Sequence, residues 1–251
     1  MSGHSHWATI KRKKAGVDAK RGAEFSKVAK LITVAARHGG GDPSMNLNLR
    51  YAIDKARSIN MPRDNIERAV KKGTGELGDG VQIESLRYEA YAPGGVAILI
   101  ESLSDNRNRT AGEIRSILEK HGGSLAASNA VAHLFERKGT ITVGAAAASE
   151  EQIMEIALEN GADDVSSSND VHEITCQPEV FESLVKAIET AGITPERATV
   201  EPVPSITVPI DAEAAAKVLK LVELLDEHDD VTEVYANFDV SDEVMAQLEQ
   251  A

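Results

Sequence analysis

Lys11, Arg12, Lys13 and Lys14 stand in an unbroken row, and Lys20, Arg21, Lys27 and Lys30 complete eight positive charges within twenty residues. Charges at that density attract phosphates, because each phosphate they neutralise releases a condensed counterion. Trp7, four residues ahead of the row, either stacks on a base or anchors the basic segment to the helices that follow. A second basic group, Arg107 and Arg109, lies in Asp105-Asn106-Arg107-Asn108-Arg109-Thr110, where a strand pattern gives way to a helix pattern. There, guanidinium and amide groups beside free helix N–H groups suit a phosphate or carboxylate; a loop with Asn turns and a helix cap fits the same residues. Met61 and Pro62, at a break between helices, read either as an exposed tip that probes a narrow site or as a proline stop with Met61 in the local core.

Other chemistry finds little support. His4 and His6 have metal-ligand spacing but no carboxylate or cysteine beside them, so no metal is assigned. Cys176 is the single cysteine, which excludes an internal disulfide. It falls in a strand with His172 four residues earlier, not in a nucleophile–base arrangement. The glycines at 39–41 do not follow a strand, and no Gly-Lys-Ser/Thr is present, so there is no phosphate-cradling nucleotide loop. Asp163-Asp164 and Asp229-Asp230 read as loop structure. No catalytic residue and no cofactor are assigned, and the chain is read as a non-enzyme. A phosphate-handling enzyme built on Arg107 and Arg109 is the remote alternative, lacking a nucleophile, a metal cluster and a general base.

The composition frames these groups. The 251 residues carry a net charge of −13, which on its own disfavours nucleic acid. The charge is split, however: residues 1–75 hold 16 Lys and Arg against 6 Asp and Glu, a net of +10, and the remainder holds 11 against 34, a net of −23. That pattern describes a basic module joined to an acidic body. With 42% apolar but only 4% aromatic residues, the cores must be aliphatic. No paired Cys/His finger, RNA-binding strand signature or clear helix-turn-helix is visible, so phosphate and shape recognition is expected ahead of base readout. The longest strongly apolar run, Val96 to Ile100, is too short to span a bilayer. Met1 to Lys14 lacks the apolar stretch of a secretory signal. A cytoplasmic protein without membrane or small-molecule partners is expected.

The elements that must position these residues fall into two regimes. Phe25, Val28, Ala29, Ile32, Ala35 and Ala36 form one helical stripe in 17–37, with Lys20, Lys27 and Lys30 on the opposite side. Gly39-Gly40-Gly41 ends that helix, and Asp42-Pro43 is expected to cap the next, which carries Leu49, Ala52, Ile53 and Ala56. Asp64 and Glu67 suggest a capping box for a third helix ending at Gly73. Beyond this the period shortens. Strands are expected at 86–92 and 96–103, joined by Pro93-Gly94-Gly95, then a helix 110–121 and a strand 130–135. A βαββαβ pattern over 138–203 follows, with strands 140–143, 164–167, 171–176 and 197–203, and a final strand, helix and strand fill 206–238. Ile141-Thr142-Val143 with Asp163-Asp164-Val165, and Ile206-Thr207-Val208 with Asp229-Asp230-Val231, suggest two copies of one β-α-β unit. The expected fold class is α+β: an N-terminal helical domain (1–78) followed by two ferredoxin-like domains, one (138–203) inserted in the other (79–137 with 204–251). Thr207 and Val208 are then expected to pair with or neighbour the sheet containing Ile98 and Leu99; a linear array of half-domains is the competing reading.

Several longer motifs resemble one family. Gly3-His4-Ser5-His6-Trp7-Ala8-Thr9-Ile10-Lys11, Asp18 to Gly22, Asn60-Met61-Pro62-Arg63-Asp64-Asn65-Ile66-Glu67-Arg68-Ala69, Tyr91 to Ala97 and Asp105 to Thr110 resemble the YebC/PmpR family. The motifs run to about residue 140, and the pattern beyond is compatible to the end. Departures are small: His6 stands where the family has Lys, removing one charge from the basic segment, Ala92 where Gly is usual, and Ala127 to Ala130 where a Gly-Ser pair is typical. The resemblance implies three domains and a cytoplasmic DNA-binding transcriptional regulator. It also points to a second role, because relatives such as the mitochondrial translational activator of cytochrome c oxidase act at the ribosome, and bacterial ones assist synthesis through consecutive prolines. The partner is then DNA, or ribosomal and transfer RNA.

Overall fold

The computed structural model describes residues 21–78, 83–168, 170–241 and 243–244, with only the backbone of 21–23. They form two compact units, one of residues 21–130 and 213–234, the other of 131–212 and 235–244.

The first unit begins with three helices: α1 (Arg21–Gly39), α2 (Leu47–Ser58) and α3 (Arg63–Gly73). The apolar stripe read from α1 is its inner face, with Val28, Ile32 and Ala36 buried against Leu49, Ala56, Ile66 and Ala69. α1 stops where Gly40 enters the left-handed region at φ 84. Asp42 does not cap α2; its carboxylate accepts from the backbone and hydroxyl of Ser44 in a tight turn around Pro43. The cap is Asn46, whose oxygen accepts from the Leu49 N–H while its amide donates to the carbonyls of Ala35 and Gly40. One side chain thus starts α2 and satisfies the orphan end of α1. The capping box at Asp64 is also absent. α3 starts directly after Pro62 without a side-chain cap, so Asp64 lies inside the first turn and Glu67 pairs with Arg63 at 2.8 Å.

Gly73 does more than end α3. A β-carbon there would sit 2.4 Å from the Thr33 carbonyl oxygen and 2.6 Å from the Ala36 β-carbon, so α1 and α3 touch through its missing side chain. Helix propensity alone would make Gly73→Ala stabilising by about 1 kcal/mol. Overpacking against backbone reverses the sign, and a net loss of about 1–2 kcal/mol is expected in urea unfolding; a raised midpoint would show that α3 is not seated this closely.

The sheet of this unit is built on the hairpin β1 (Glu84–Ala92) and β2 (Val96–Ser104), in register from Glu84↔Ser104 to Ala92↔Val96. Gly94 and Gly95 supply the positive φ values, 81 and 76, that the connection requires. Helix α4 (Arg107–Lys120) crosses over β1 to β3 (Ser124–Leu125), correcting the strand read at 130–135; that stretch holds a single 3-10 turn, Ala132–Leu134. A two-residue strand carries no periodicity to detect. On the other edge β9 (Val231–Ala236), which follows the helix Ala212–Glu227, lies beside β2. The order is β3-β1-β2-β9, and the apolar run of β2 is buried throughout, as a central strand covered on both faces must be.

The second unit has the ferredoxin-like arrangement. β4 (Phe135–Gly144), α5 (Glu150–Glu159), β5 (Ala162–Ser167), β6 (Val171–Cys176), α6 (Phe181–Thr190) and β7 (Arg197–Pro204) make an antiparallel sheet of order β5-β6-β4-β7. Ile141, Val143, Ile153, Ile174, Leu184 and Ile188 form its core. In both sheets one crossover helix skips a strand and another leads to the opposite edge. The chain is therefore α+β with two related sheets. The repeat read around 206–231 holds for its helix and second strand, but its first strand departs from the reading: β8 (Val208–Pro209) pairs in parallel with β10 (Phe238–Asp239) in a separate two-stranded sheet, not in the sheet of Ile98 and Leu99. Pro209 lacks an N–H, which limits β8 to an edge fragment. The helix Ala212–Glu227 is α7 below.

Candidate nucleic-acid interface

Trp7, Lys11, Arg12, Lys13, Lys14, Lys20 and the side chain of Arg21 lie outside the described residues. Of the remaining cations of the expected interface, Lys27, Lys30 and Arg109 are occupied. Lys27 and Lys30, expected on the outward side of α1, instead face the end of α7. Lys27 donates to the carbonyl of Asp226, and Lys30 to the carbonyl of Asp229 at 3.0 Å. Carbonyls at a helix C-terminus lack N–H partners and carry the negative end of the helix dipole, so lysines are well placed there. Burial pushes the Lys27 ammonium below its usual pKa, against the pull of Asp226, Glu233 and Asp229. From α2, Lys55 pairs with Glu233 at 2.9 Å.

The centre of this contact is Asp230, read from sequence as a loop acid. Its side chain is 5% exposed and accepts from Lys30 at 2.6 Å, Thr110 Oγ1 at 2.7 Å, Arg109 at 2.8 Å and Ser104 Oγ at 3.1 Å. Burial opposes its ionisation, but the hydrogen bonds from Lys30, Arg109 and Thr110 outweigh that and hold the carboxyl far below the ordinary range. Arg109 is held charged in turn by Asp230 and by Asp105, 2.9 Å away. The rest of the Asp105–Thr110 segment serves the helix: Asn106 caps α4 by accepting from the Arg109 N–H. Only Arg107 keeps an exposed guanidinium without an ion pair among the described residues. Glu113, His228 and Asp230 lie close enough to suggest metal ligation. His228 and Asp230 are committed, however: the Asp230 N–H donates to His228 Nδ1 at 3.1 Å, leaving Nε2 to donate to Glu113 at 2.9 Å, and two cations already occupy the Asp230 carboxylate.

Free positive charge appears on α3, which the sequence reading passed over. Arg68, Lys71 and Lys72 are exposed and carry no ion pair among the described residues, nor does Arg50 on α2. Their i, i+3, i+4 spacing puts them on one face, away from the buried Ile66, Ala69 and Gly73; that signal was present in the sequence. Two clefts flank this ridge. One of about 400 Å³ is lined by Phe25, Ala29, Lys30, Arg68 and Lys72, and one of about 690 Å³ by Ile53, Val70, Arg57, Arg63 and Lys71. Met61 lines both but is 6% exposed and belongs to the helical core, so the exposed-tip reading of Met61 is corrected; Pro62 is exposed beside it. Asn60, in the left-handed region at φ 59, turns the four-residue connection 59–62 between α2 and α3.

Family models place this architecture. Residues 5–76 match the TACO1/YebC protein N-terminal domain, and residues 83–238 match the TACO1/YebC second and third domain. The chain belongs to the TACO1/YebC family. A relative from Rubrobacter xylanophilus is 53% identical over 99% of both chains, and one from Halothermothrix orenii is 51% identical over 99% of both. Each is named a probable transcriptional regulatory protein. The crystal structure of a conserved hypothetical protein from Aquifex aeolicus superposes with a TM-score of 0.85 at 50% identity, covering 94% of this chain and 98% of the other. No described helix of this TACO1/YebC protein is long and apolar enough to cross a membrane.

The described residues of the ferredoxin-like unit of the TACO1/YebC chain contain a titrating core group. Cys176 and His172 are buried; burial pushes the thiol up to about 11, and the imidazole is held by Ser167 and the Ala148 carbonyl. Glu173 is 5% exposed, with one carboxyl oxygen unpartnered. Burial, and then Glu201, raise its pKa to about 7, while Arg197 is drawn into a bidentate pair with Glu201 at 2.7 and 2.5 Å. An unfolded glutamate ionises near about 4.3. Between these values the unfolded chain releases a proton that the folded chain keeps, so stability falls as pH rises through that window. Glu173→Gln is expected to stabilise by roughly 2–3 kcal/mol at pH 8 and negligibly at pH 4. Equal effects at the two pH values in urea unfolding would contradict the assignment.

Proposed function

We propose that this TACO1/YebC protein is a non-enzymatic, cytoplasmic DNA-binding transcriptional regulator that engages nucleic acid through its helical module. The observation that carries the reading is the row Arg68, Lys71 and Lys72 on α3, unpaired among the described residues, while Lys27, Lys30 and Arg109 are spent on carbonyls and carboxylates of the same unit. The basic segment Lys11 to Lys14, with Lys20 and Arg21, is proposed to extend that face, and Arg107 to add a contact apart from it. Lys and Arg rows address phosphates and fix register; they carry little base information by themselves. The engagement of Arg109 by Asp105 and Asp230 argues against an enzyme that handles phosphate with both guanidinium groups, and no cofactor or small-molecule substrate is invoked.

A second reading, a ribosome-associated translation factor that assists synthesis through consecutive prolines, is favoured by the same row: a phosphate-reading ridge suits folded ribosomal or transfer RNA as well as duplex DNA. Crosslinking in cells followed by sequencing of the bound DNA and RNA separates the two. Discrete promoter sites support transcription; enrichment of ribosomal RNA without promoter sites replaces it with the second reading, and recovery of neither removes both.

A further inference from the structure

We propose that Asp230 and the end of α7 form an autoinhibitory clasp, which holds Lys27 and Lys30 away from phosphate and so gives the helical module a closed and an open binding state. The inference rests on the nucleic-acid reading above and adds its regulation. Two of the module's lysines point at the α7–β9 corner, one on a helix-end carbonyl and the other on both a carbonyl and a carboxylate. Lys55 makes a third link through Glu233. The carboxylate that receives Lys30 is fixed from the opposite side by Ser104, Arg109 and Thr110, so it cannot follow the lysine outward. Release is therefore a movement of α1 and its lysines, with Asp230 remaining on the sheet. A polyanion competes with Asp230 and the carbonyls for the same ammonium groups. In the closed state α3 presents Arg68, Lys71 and Lys72; in the open state Lys27 and Lys30 join them.

The test measures affinity for a 20-base-pair DNA duplex against salt concentration in the full chain. Asp230→Asn weakens the clasp, and the log–log slope is expected to steepen by up to about 1.8, about 0.9 for each lysine released. Glu151→Gln, an exposed change of equal charge on α5, controls for the lost negative charge and is expected to leave the slope unchanged. Adding Lys27→Gln and Lys30→Gln to Asp230→Asn is expected to return the slope to the wild-type value. A slope in Asp230→Asn equal to the control, or one that survives loss of both lysines, overturns the clasp. If Asp230→Asn does not fold, Glu233→Gln takes its place: it frees Lys55, is expected to steepen the slope by about 0.9, and must lose that gain with Lys55→Gln, failing which the clasp is rejected. Absence of any duplex binding would instead count against the nucleic-acid reading, and hydrogen exchange of residues 25–37 without DNA then judges the clasp. Faster exchange there in Asp230→Asn, or in Glu233→Gln, supports it, and unchanged exchange overturns it.

Discussion

Reversing Arg68, Lys71 and Lys72 together to glutamate is expected to abolish most duplex binding at physiological salt and to flatten its salt dependence. Each lost phosphate contact lowers the log–log slope by about 0.9 on duplex DNA, so three contacts lower it by about 2.7. Between 50 and 200 mM salt, the wild-type affinity should then fall roughly 40-fold more than that of the variant. The three residues are exposed and unpaired among the described residues, so stability should move little, by about 0–1 kcal/mol for each. Glu substitution of Lys186, Lys217 and Lys220, lysines outside the basic module, is the matched control for net charge. An equal loss of affinity in the control would make the effect one of global charge and strip α3 of its role. Full retention of affinity and slope in the α3 variant would do the same and leave the segment Lys11 to Lys14 as the principal contact. At physiological salt the Debye length is about 8 Å, so the acidic remainder of the chain acts on a bound phosphate mainly where it lies close by.

Asp230→Ala is expected to be strongly destabilising. It removes one acceptor from four donors at once and leaves Lys30 and Arg109 facing each other without their shared carboxylate. Loss of one partner from a buried pair costs about 3–5 kcal/mol. Here the Lys30 and Arg109 side chains keep 24% and 43% exposure and can recover some hydration, which places the expected loss at about 2–4 kcal/mol. The pH dependence follows from the depressed carboxyl. An unfolded aspartate titrates near about 3.9, so the stabilisation is fully present above that value and is lost as pH falls below it toward the folded-state pKa. Urea unfolding should show a constant gap between wild type and variant from pH 5 to 8, shrinking below pH 4. A variant within 0.5 kcal/mol of wild type at pH 7 would reduce the hub to an incidental contact.

The periodicities of this chain were enough to define its main helices and longer strands, but not the two-residue strands β3 and β8. The three-and-four spacing of Val28, Ile32 and Ala36, and of Leu49, Ala52, Ile53 and Ala56, identified the buried helical faces, because only one side of a surface helix can be dry. The continuous apolar run 96–100 marked the central strand, and the alternation in 138–203 marked the ferredoxin-like unit, with its strands within a few residues of those observed. The fold class and the family motifs were legible for the same reason: each rests on neighbours along the chain.

Tertiary structure decided which charges are free. Lys27 and Lys30 look like Lys71 and Lys72 in sequence, and Asp230 looks like Asp163 and Asp164. Their difference lies in partners about 200 positions away in the chain, since Lys27 meets the end of α7 and Lys30 meets Asp230. The caps show the same dependence at shorter range: Asp42 and Asp64 are both good cap residues, yet Asn46 caps α2 because it alone can also reach the carbonyls that end α1. The matched tripeptides at 141 and 206 were misleading because strand pairing is made by partners in space, and β8 found Phe238 where the repeat required a central strand. Local sequence sets helix and strand through backbone sterics and burial periodicity. Whether a cation reaches solvent or a carboxylate is an energy difference between distant groups that only the folded chain brings together.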